Sequence, residues 1–284
     1  RQRQMCIRDS MYTEYQPSHL LVPYIDSYWE FKGNPDYGMR IHILPDGCTD
    51  FIFTLGEVAN AVEEGSLIMQ PYRSYFVGPM TKYSELVTYT ESIHMFGVRF
   101  LPCGLSCFTN LPLHEFVNSR VSTNEMKAVF DDTFIEKLGE QKHVTDRIRV
   151  VEEYLLAYLA RHYQPADSHV AMAVNMINHS KGKRSVRSLM DDVCLCQRHF
   201  ERKFKHYTGF TPKEYSRIVK FKNAVELLRT TTSANLLTTA VDAGYYDLAH
   251  FSKEIKSMSG NTPASFLSLT VPEETTLTYI EPQR

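Results

Sequence analysis

The feature that most constrains this chain is a pattern that occurs twice near its C-terminal end. "FERKFKHYTGFTPKEY", beginning at Phe200, aligns without a gap with "FSKEIKSMSGNTPASF", beginning at Phe251, at a constant offset of 51 residues. The alignment pairs Phe200 with Phe251, Lys205 with Lys256, Gly209 with Gly260, and Thr211-Pro212 with Thr262-Pro263. A repeated segment must fold the same way twice. Each copy predicts a helix that stops at a glycine, where a left-handed C-cap meets no Cβ, followed by a helix with Thr at its N-cap and Pro at its first position. Upstream of copy one, Ser185 is placed to cap "VRSLMDDV", and Cys194-Leu195 turns the chain into a helix starting near Cys196. Upstream of copy two, "LLTTAVDA" ends at Gly244, and Tyr245-Tyr246 leads into "DLAHFSKEIK". A short helix, a tight turn and a second helix form the helix-turn-helix unit, which sets its second helix in a DNA major groove. Two such units are expected.

The faces of the second helix support that chemistry. At 100° per residue, Phe200 and Phe204 share one side, while Arg198, Glu201, Arg202 and Lys205 form a stripe on the other. Arginine forks onto guanine O6 and N7, glutamate accepts from cytosine N4, and a lysine near the helix end meets phosphate. Gln197, at the start of the helix, joins the candidate readers. The plain alternative is a solvated face with i,i+4 ion pairs worth about 0.3 kcal/mol each; the repeat decides against it. In copy two the corresponding positions are Ala249, Ser252, Lys253 and Lys256, with His250 beside them, a set poorer in base-reading groups. Copy two is therefore expected to hold backbone more than sequence, with Lys253 as its main contact. The helix N-termini near Ser185 and Asp247 are further phosphate candidates. Between the copies, residues 212–230 carry apolar side chains on a helical period. Nineteen residues at about 1.5 Å each make a rod of roughly 28 Å, a fitting spacer for grooves about 34 Å apart.

Charge agrees. The chain has a net charge of −2, but residues 181–270 hold fifteen Lys and Arg against eight Asp and Glu, a local +7 that leaves −9 for the rest. A basic third on an acidic chain points to a polyanionic partner.

Residues 168–270 resemble the DNA-binding domain of the AraC/XylS family of bacterial transcription regulators. The resemblance is carried by R-x-F-E-R-x-F-K from Arg198 to Lys205, by Gly209-Phe210-Thr211-Pro212, by Ala224 to Leu228, by Ala240-x-x-x-Gly244-Tyr245, by His250-Phe251 and by Gly260-x-Thr262-Pro263. Cys196 replaces the usual Ser N-cap, and Thr239, Lys253 and Ile255 stand where the family more often has an apolar residue, Arg and Phe. The resemblance implies double-stranded DNA as partner, with RNA polymerase and a second copy of the chain as further partners, and a cytoplasmic location.

From Tyr15 to about Arg120 the pattern changes. "RIHILPDGCTDFIFTLG" and "ESIHMFGVRF" alternate and are rich in β-branched and aromatic residues, with turn residues between them. This part resembles the N-terminal domain of one AraC-type subgroup, through Pro17, Leu21, Tyr24 to Trp29, Leu44-Pro45-Asp46-Gly47 and Gly97-Val98-Arg99-Phe100-x-Pro102-x-Gly104. That likeness implies a small cupin-type barrel holding an effector. Trp29, Phe31, Phe51, Phe53 and Phe96, with His42 and His94, are the candidate cavity residues, although aromatic stripes on strands are more often plain core. The two histidines lack the converging third and fourth ligands a metal needs, so no metal and no cofactor are expected. No nucleophile–base–orienter set is evident, so the chain is not expected to be an enzyme. Cys103 and Cys107 read as buried thiols in a loop, and the six cysteines lack both a disulfide framework and paired C-x-x-C spacing.

Residues 144–163 form the clearest helix of the front part, suited to packing a second subunit or its own barrel, with the subunit contact as the expectation. Residues 165–168 then mark a boundary where Asp167 or Ser168 caps the next helix. The expected fold class is α+β with two domains: an N-terminal β-rich cupin-like barrel, and a C-terminal all-α domain with two helix-turn-helix units joined by a connecting helix. The divisions are 1–10, a non-native leader; 11–142, the β-rich effector-binding domain; 143–165, the linking helix; 166–270, the DNA-binding domain; and 271–284, a tail. No window has the run of apolar residues a membrane helix needs. The function expected is a DNA-binding transcription regulator controlled by a small molecule. The alternatives are a constitutive dimeric DNA-binding protein with a structural barrel, and a cupin-type enzyme with a helical appendage.

Overall fold

The computed structural model describes residues 11–35, 37–58, 60–61, 68–126, 129–130, 132–162, 164–230, 236–268 and 277–280. The segment read as a leader, 1–10, lies outside the described residues, as does most of the tail.

The front of the chain supplies nine strands: β1 (Met11–Tyr15), β2 (Ile25–Gly33), β3 (Arg40–Ile43), β4 (Thr49–Thr54), β5 (Asn60–Ala61), β6 (Ser74–Val77), β7 (Ser84–Val87), β8 (Ile93–Phe100) and β9 (Arg120–Ser122). Two helices follow, α1 (Asp132–Gly139) and α2 (Val144–His162). The strands pair antiparallel in a six-stranded sheet of order β1-β2-β8-β4-β6-β9 and a smaller sheet of order β3-β7-β5. A strand from the C-terminal tail, β10 (Leu277–Ile280), extends the smaller sheet by pairing with β3, Thr278 opposite His42.

The large sheet is buried on both faces, and strand alternation sorts its side chains. One face carries Tyr28, Phe51, Phe53, Phe76, Phe96, Val98 and Phe100, packed with Phe130, Phe134, Val151 and Leu155 around α1 and α2. The other carries Trp29, Phe31, Ile52, Val77 and Met95 against Ile41 and Leu86 of the small sheet. Register fixes the pairing: Trp29 lies opposite Gly97, which lies opposite Ile52, and Phe31 lies opposite Met95. A Cβ on Gly97 would overlap the indole of Trp29, so the ring lies flat where that atom would be. α2 turns Arg147, Val151 and Leu155 inward, and Arg147 Nη1 pairs with Glu30 at 2.8 Å, so this helix covers its own barrel.

The rest of the chain is helical: α3 (Ser168–His179), α4 (Val186–Val193), α5 (Gln197–Thr208), α6 (Pro212–Thr230), α7 (Leu236–Asp242), α8 (Leu248–Ser259) and α9 (Pro263–Ser268). Their apolar faces form one core that includes Leu189, Phe200, Phe204, Phe210, Tyr215, Phe221, Ala240, Phe251, Ile255 and Phe266. Two helix starts show local capping chemistry. Asp167 accepts from the backbone N–H groups of His169 and Val170 at the head of α3. Thr211 and Glu214 form a reciprocal capping box around Pro212, with bonds of 2.7 and 3.2 Å. The N-terminal domain reaches into this core through Leu44 and Cys103, and Lys222 of α6 donates to the Asp46 carbonyl at 3.3 Å.

Gly97→Ala is expected to cost about 1–3 kcal/mol through overpacking against Trp29. A chemical denaturation curve followed by tryptophan fluorescence checks it, because Trp29 is the chain's one tryptophan.

Candidate nucleic-acid interface

The two modules repeat in three dimensions. α4 is capped by Ser185, whose side chain accepts from the Ser188 N–H, and ends at Cys194 in a left-handed conformation, φ 54°. α5 then starts at Gln197 behind Cys196, whose side chain makes no cap bond, and stops at Gly209, φ 82°. In the second unit Asp247 caps α8 by accepting from the His250 N–H at 2.7 Å, and Gly260, φ 73°, ends it. Phe200 and Phe204 are fully buried, as are Phe251 and Ile255. On the opposite side of α5, Gln197, Arg198, Arg202 and Lys205 are exposed and Glu201 is half-buried; on α8, Ala249, His250, Lys253 and Lys256 are exposed and Ser252 is half-buried. The residues expected to read DNA therefore lie together on one outward face of each second helix. Within α5, Gln197 Nε2 donates to Glu201 Oε1 at 2.9 Å, and Arg202 Nη2 lies 3.2 Å from His199 Nδ1. These bonds hold side chains across the stripe without burying it.

The units are tied to each other by other cations. Arg217 of α6 makes a forked pair with Glu254 of α8, with bonds of 2.9 to 3.1 Å. Lys183 donates to the Asp242 carbonyl at 2.6 Å and Lys220 to the Gly244 carbonyl at 3.2 Å, both at the C-terminal end of α7, where cations suit the helix dipole. The N-terminal domain meets the second helices at their C-terminal ends. A Cβ on Gly209 would lie 2.5 Å from Pro79 Cγ, and one on Gly260 2.7 Å from Tyr83 Cζ. His42 stacks on Tyr83 at 5.0 Å between centroids, with its Nδ1 3.4 Å from the Ser259 carbonyl and its Nε2 3.3 Å from Glu85. His114 lies beside His206 near the end of α5.

Between the two sheets of the N-terminal domain is a small cavity of about 40 Å³. Trp29, Phe31, Ile52, Leu86 and Met95 supply apolar wall, and Asp50, Arg99 and Arg120 form its charged end. Of the expected effector residues, Trp29 and Phe31 line this space. Phe51, Phe53 and Phe96 lie on the other face of the same sheet, against Phe130 and Phe134. His94 Nε2 pairs with Glu30 at 2.9 Å, and His42 sits at the domain contact. The described residues contain no cluster of three metal-ligating groups. Arg99 is buried among Glu14 at 3.1 Å, Asp50 at 3.3 Å and Asp46 at 3.4 Å. Asp50 also accepts from the Trp29 indole N–H at 2.7 Å. Burial pushes the Asp50 carboxyl up to about 6, with Asp46 adding to the rise, although Arg99 opposes it.

Residues 189–268 match a family described as a helix-turn-helix domain, and residues 13–122 match a domain of unknown function, DUF6597. The helix-turn-helix match spans α5, its connecting helix and α8, the elements whose outward faces are described above. The C-terminal part of the chain therefore carries an AraC-type helix-turn-helix domain. Its fold is similar to that of ToxT from Vibrio cholerae, with a TM-score of 0.51 at 9% identity over 85% of this chain and 98% of ToxT. An unsaturated fatty acid-bound ToxT gives 0.49 at 13% identity, over 88% of this chain and 99% of ToxT. A xylose-binding transcription activator, XylR, gives 0.33 at 18% identity over 43% of this chain and 38% of its own. At these identities the ToxT likeness is one of fold: a β-rich domain followed by the helical one. No curated protein matches in sequence.

The cavity residues that sequence reasoning missed include Ile52, Asp50, Met95 and Arg120. Ile52 and Met95 were legible in principle, because each sits one position from a named aromatic and strand alternation sends it to the opposite face. Arg120 gave no signal, since it lies on a three-residue strand after a stretch of irregular turns. A prediction follows from Asp50. Its native carboxyl titrates near 6, above the 3.8 of an unburied one, so between those values the native state holds a proton the unfolded chain has lost. Its contribution to stability is present below about pH 4 and is lost as pH rises through 6, a change of about 3 kcal/mol. Asp50→Asn, which keeps the acceptor for Trp29, should flatten that part of the stability–pH curve measured by urea denaturation.

Proposed function

We propose that the chain is a transcription regulator that binds double-stranded DNA through α5 and α8 in consecutive major grooves and takes its signal from a small molecule in the N-terminal cavity. The observation that carries the reading is the exposed stripe of Arg198, Arg202 and Lys205, set on a helix whose other face is buried through Phe200 and Phe204. Arg198 and Arg202, with Gln197 and Glu201, read bases. Lys205, Lys253 and Lys256, with the N-termini of α4 and α8, hold phosphates, and Ala249, His250 and Ser252 lie against the second groove. α8 offers two lysines and no arginine on that face, so it contributes affinity more than sequence discrimination.

Effector control is supported by the position of the cavity. Its small-sheet wall includes Ile41, the neighbour of His42, and His42 lies against the last turn of α8. Homodimerisation, a contact with RNA polymerase and action in the cytoplasm belong to the same proposal and rest on the family likeness; among the described residues no helix is long and apolar enough to cross a membrane.

Arg202→Ala should cost about 1–3 kcal/mol on a selected binding site and relax one base position, whereas Lys256→Ala should weaken selected and random duplexes alike and lower the salt slope by about 1. Fluorescence anisotropy titrations at several salt concentrations, on a site obtained by selection from random DNA, distinguish the two. Equal losses on selected and random DNA for Arg202→Ala would refute its reading role.

A further inference from the structure

The head of α8 carries apolar side chains where the fold does not need them. Tyr246 is 91% exposed and Leu248 is 38% exposed, and they flank Asp247, the N-cap of the helix. A hydrophobic residue just before an N-cap ordinarily packs onto the fourth residue of its helix. In the first unit Leu195 holds that position, half-buried against the core that contains Phe200. In the second unit Tyr245 takes over the task. It is buried with its ring 5.2 Å from that of Phe251, and its neighbour Tyr246 is turned out. Leu248 is the counterpart, at the 51-residue offset, of Gln197, whose exposed side chain reaches Glu201 at 2.9 Å. The same place in the module thus holds a polar residue in one unit and presents hydrocarbon to solvent in the other.

The rest of the helix narrows what these side chains meet. Lys253 and Lys256 are exposed on α8 and make no ion pair among the described residues, a pattern that suits a polyanion better than an apolar protein surface. The first residues of a second helix are the ones that reach base edges in a major groove. Among the groups that base pairs show there, the C5 methyl of thymine is the apolar one. Guanine, adenine and cytosine offer acceptors and donors that a leucine would cover without a bond. We propose that the head of α8 reads thymine by its methyl group, with Leu248 packed on one such methyl, Ala249 beside it, and the Tyr246 ring covering a second at a neighbouring position. The proposal rests on the DNA-binding reading given above and deepens it, because it names what α8 discriminates while its lysines hold phosphate.

Deoxyuridine in place of thymidine removes the methyl and keeps base pairing and every hydrogen-bonding group. The full chain is titrated by fluorescence anisotropy on a duplex selected from random DNA, with each thymine replaced in turn. Uracil should weaken binding about three- to fivefold at two or more positions, the effect of burying one methyl group at each. Leu248→Gln, which places the first unit's residue at the exposed head of α8, should abolish the response at one of these positions, and Tyr246→Ser at a neighbouring one. Both side chains are exposed, so both variants should melt as the parent does when followed by circular dichroism. The proposal is overturned if no thymine of the selected site is sensitive to uracil, or if either variant responds at every position as the parent does; unchanged responses in both assign the patch to a protein contact instead. If selection yields no preferred site, the DNA-binding reading falls and the proposal with it. A selected site that is bound equally well with uracil throughout overturns the proposal and keeps that reading.

Discussion

Helices α5 and α8 both end in a left-handed glycine, and the space left by each missing Cβ is filled by the same short segment of the N-terminal domain. Pro79 occupies it at Gly209 and Tyr83 at Gly260. A β-carbon at either position would collide with the neighbouring domain as well as strain the backbone. The caps therefore do two things. They end α5 and α8, and they let one rigid stretch of chain set where both helices finish. That stretch runs from the end of β6 to the start of β7, and the residues around it, Val77, Met80 and Leu86, belong to the cavity wall. Both caps therefore rest on a segment that also bounds the cavity.

The large sheet makes such a cavity tolerable. One of its faces is a dense aromatic core, where neighbouring rings of Phe51, Phe53, Phe130 and Phe134 lie with centroids 4.7 to 5.7 Å apart, and that packing with α1 and α2 supplies the burial that stabilises the domain. The other face is free to enclose space. Arg99 closes one end of that space by gathering Glu14, Asp46 and Asp50 around a single guanidinium. Arg99 lies against both Asp46 and Asp50, and burial, with Asp46 adding to it, raises the Asp50 carboxyl. Asp46 also offers its carbonyl to Lys222 of α6, so the charged end of the cavity is continuous with the contact to the helical domain.

What could be read in advance follows the range of the interactions involved. Helix starts and stops are decided within a few residues, so the Ser185, Asp167 and Asp247 caps and the Gly209 and Gly260 stops were legible, and the repeat supplied their arrangement. Strand existence was legible from alternation, but pairing is a long-range choice. Phe31 and Phe53 look alike along the chain, yet the register that sets Trp29, Gly97 and Ile52 side by side puts Phe31 in the cavity and Phe53 among the helices. His42 and His94 fell together for the same reason: both sit on strands, and only the topology separates a domain contact from a pairing with Glu30. The return of the tail as β10, and the second task of the two glycine caps, depend on contacts more than a hundred residues apart in sequence, which no local pattern carries.

The charge of the helical domain is also divided more finely than a count suggests. Arg184 is paired with Asp192, Lys203 with Asp167 and Arg217 with Glu254, while Lys183, Lys220 and Lys222 are spent on backbone carbonyls. These cations hold helices, units and domains together, and each would have to break a bond to reach a phosphate. Arg198, Lys205, Lys253 and Lys256 are exposed and make no ion pair among the described residues. They are confined to the outward faces of α5 and α8. The basic composition of this third of the chain is thus partly scaffold, and part of the fraction left free lies on the outward faces of α5 and α8.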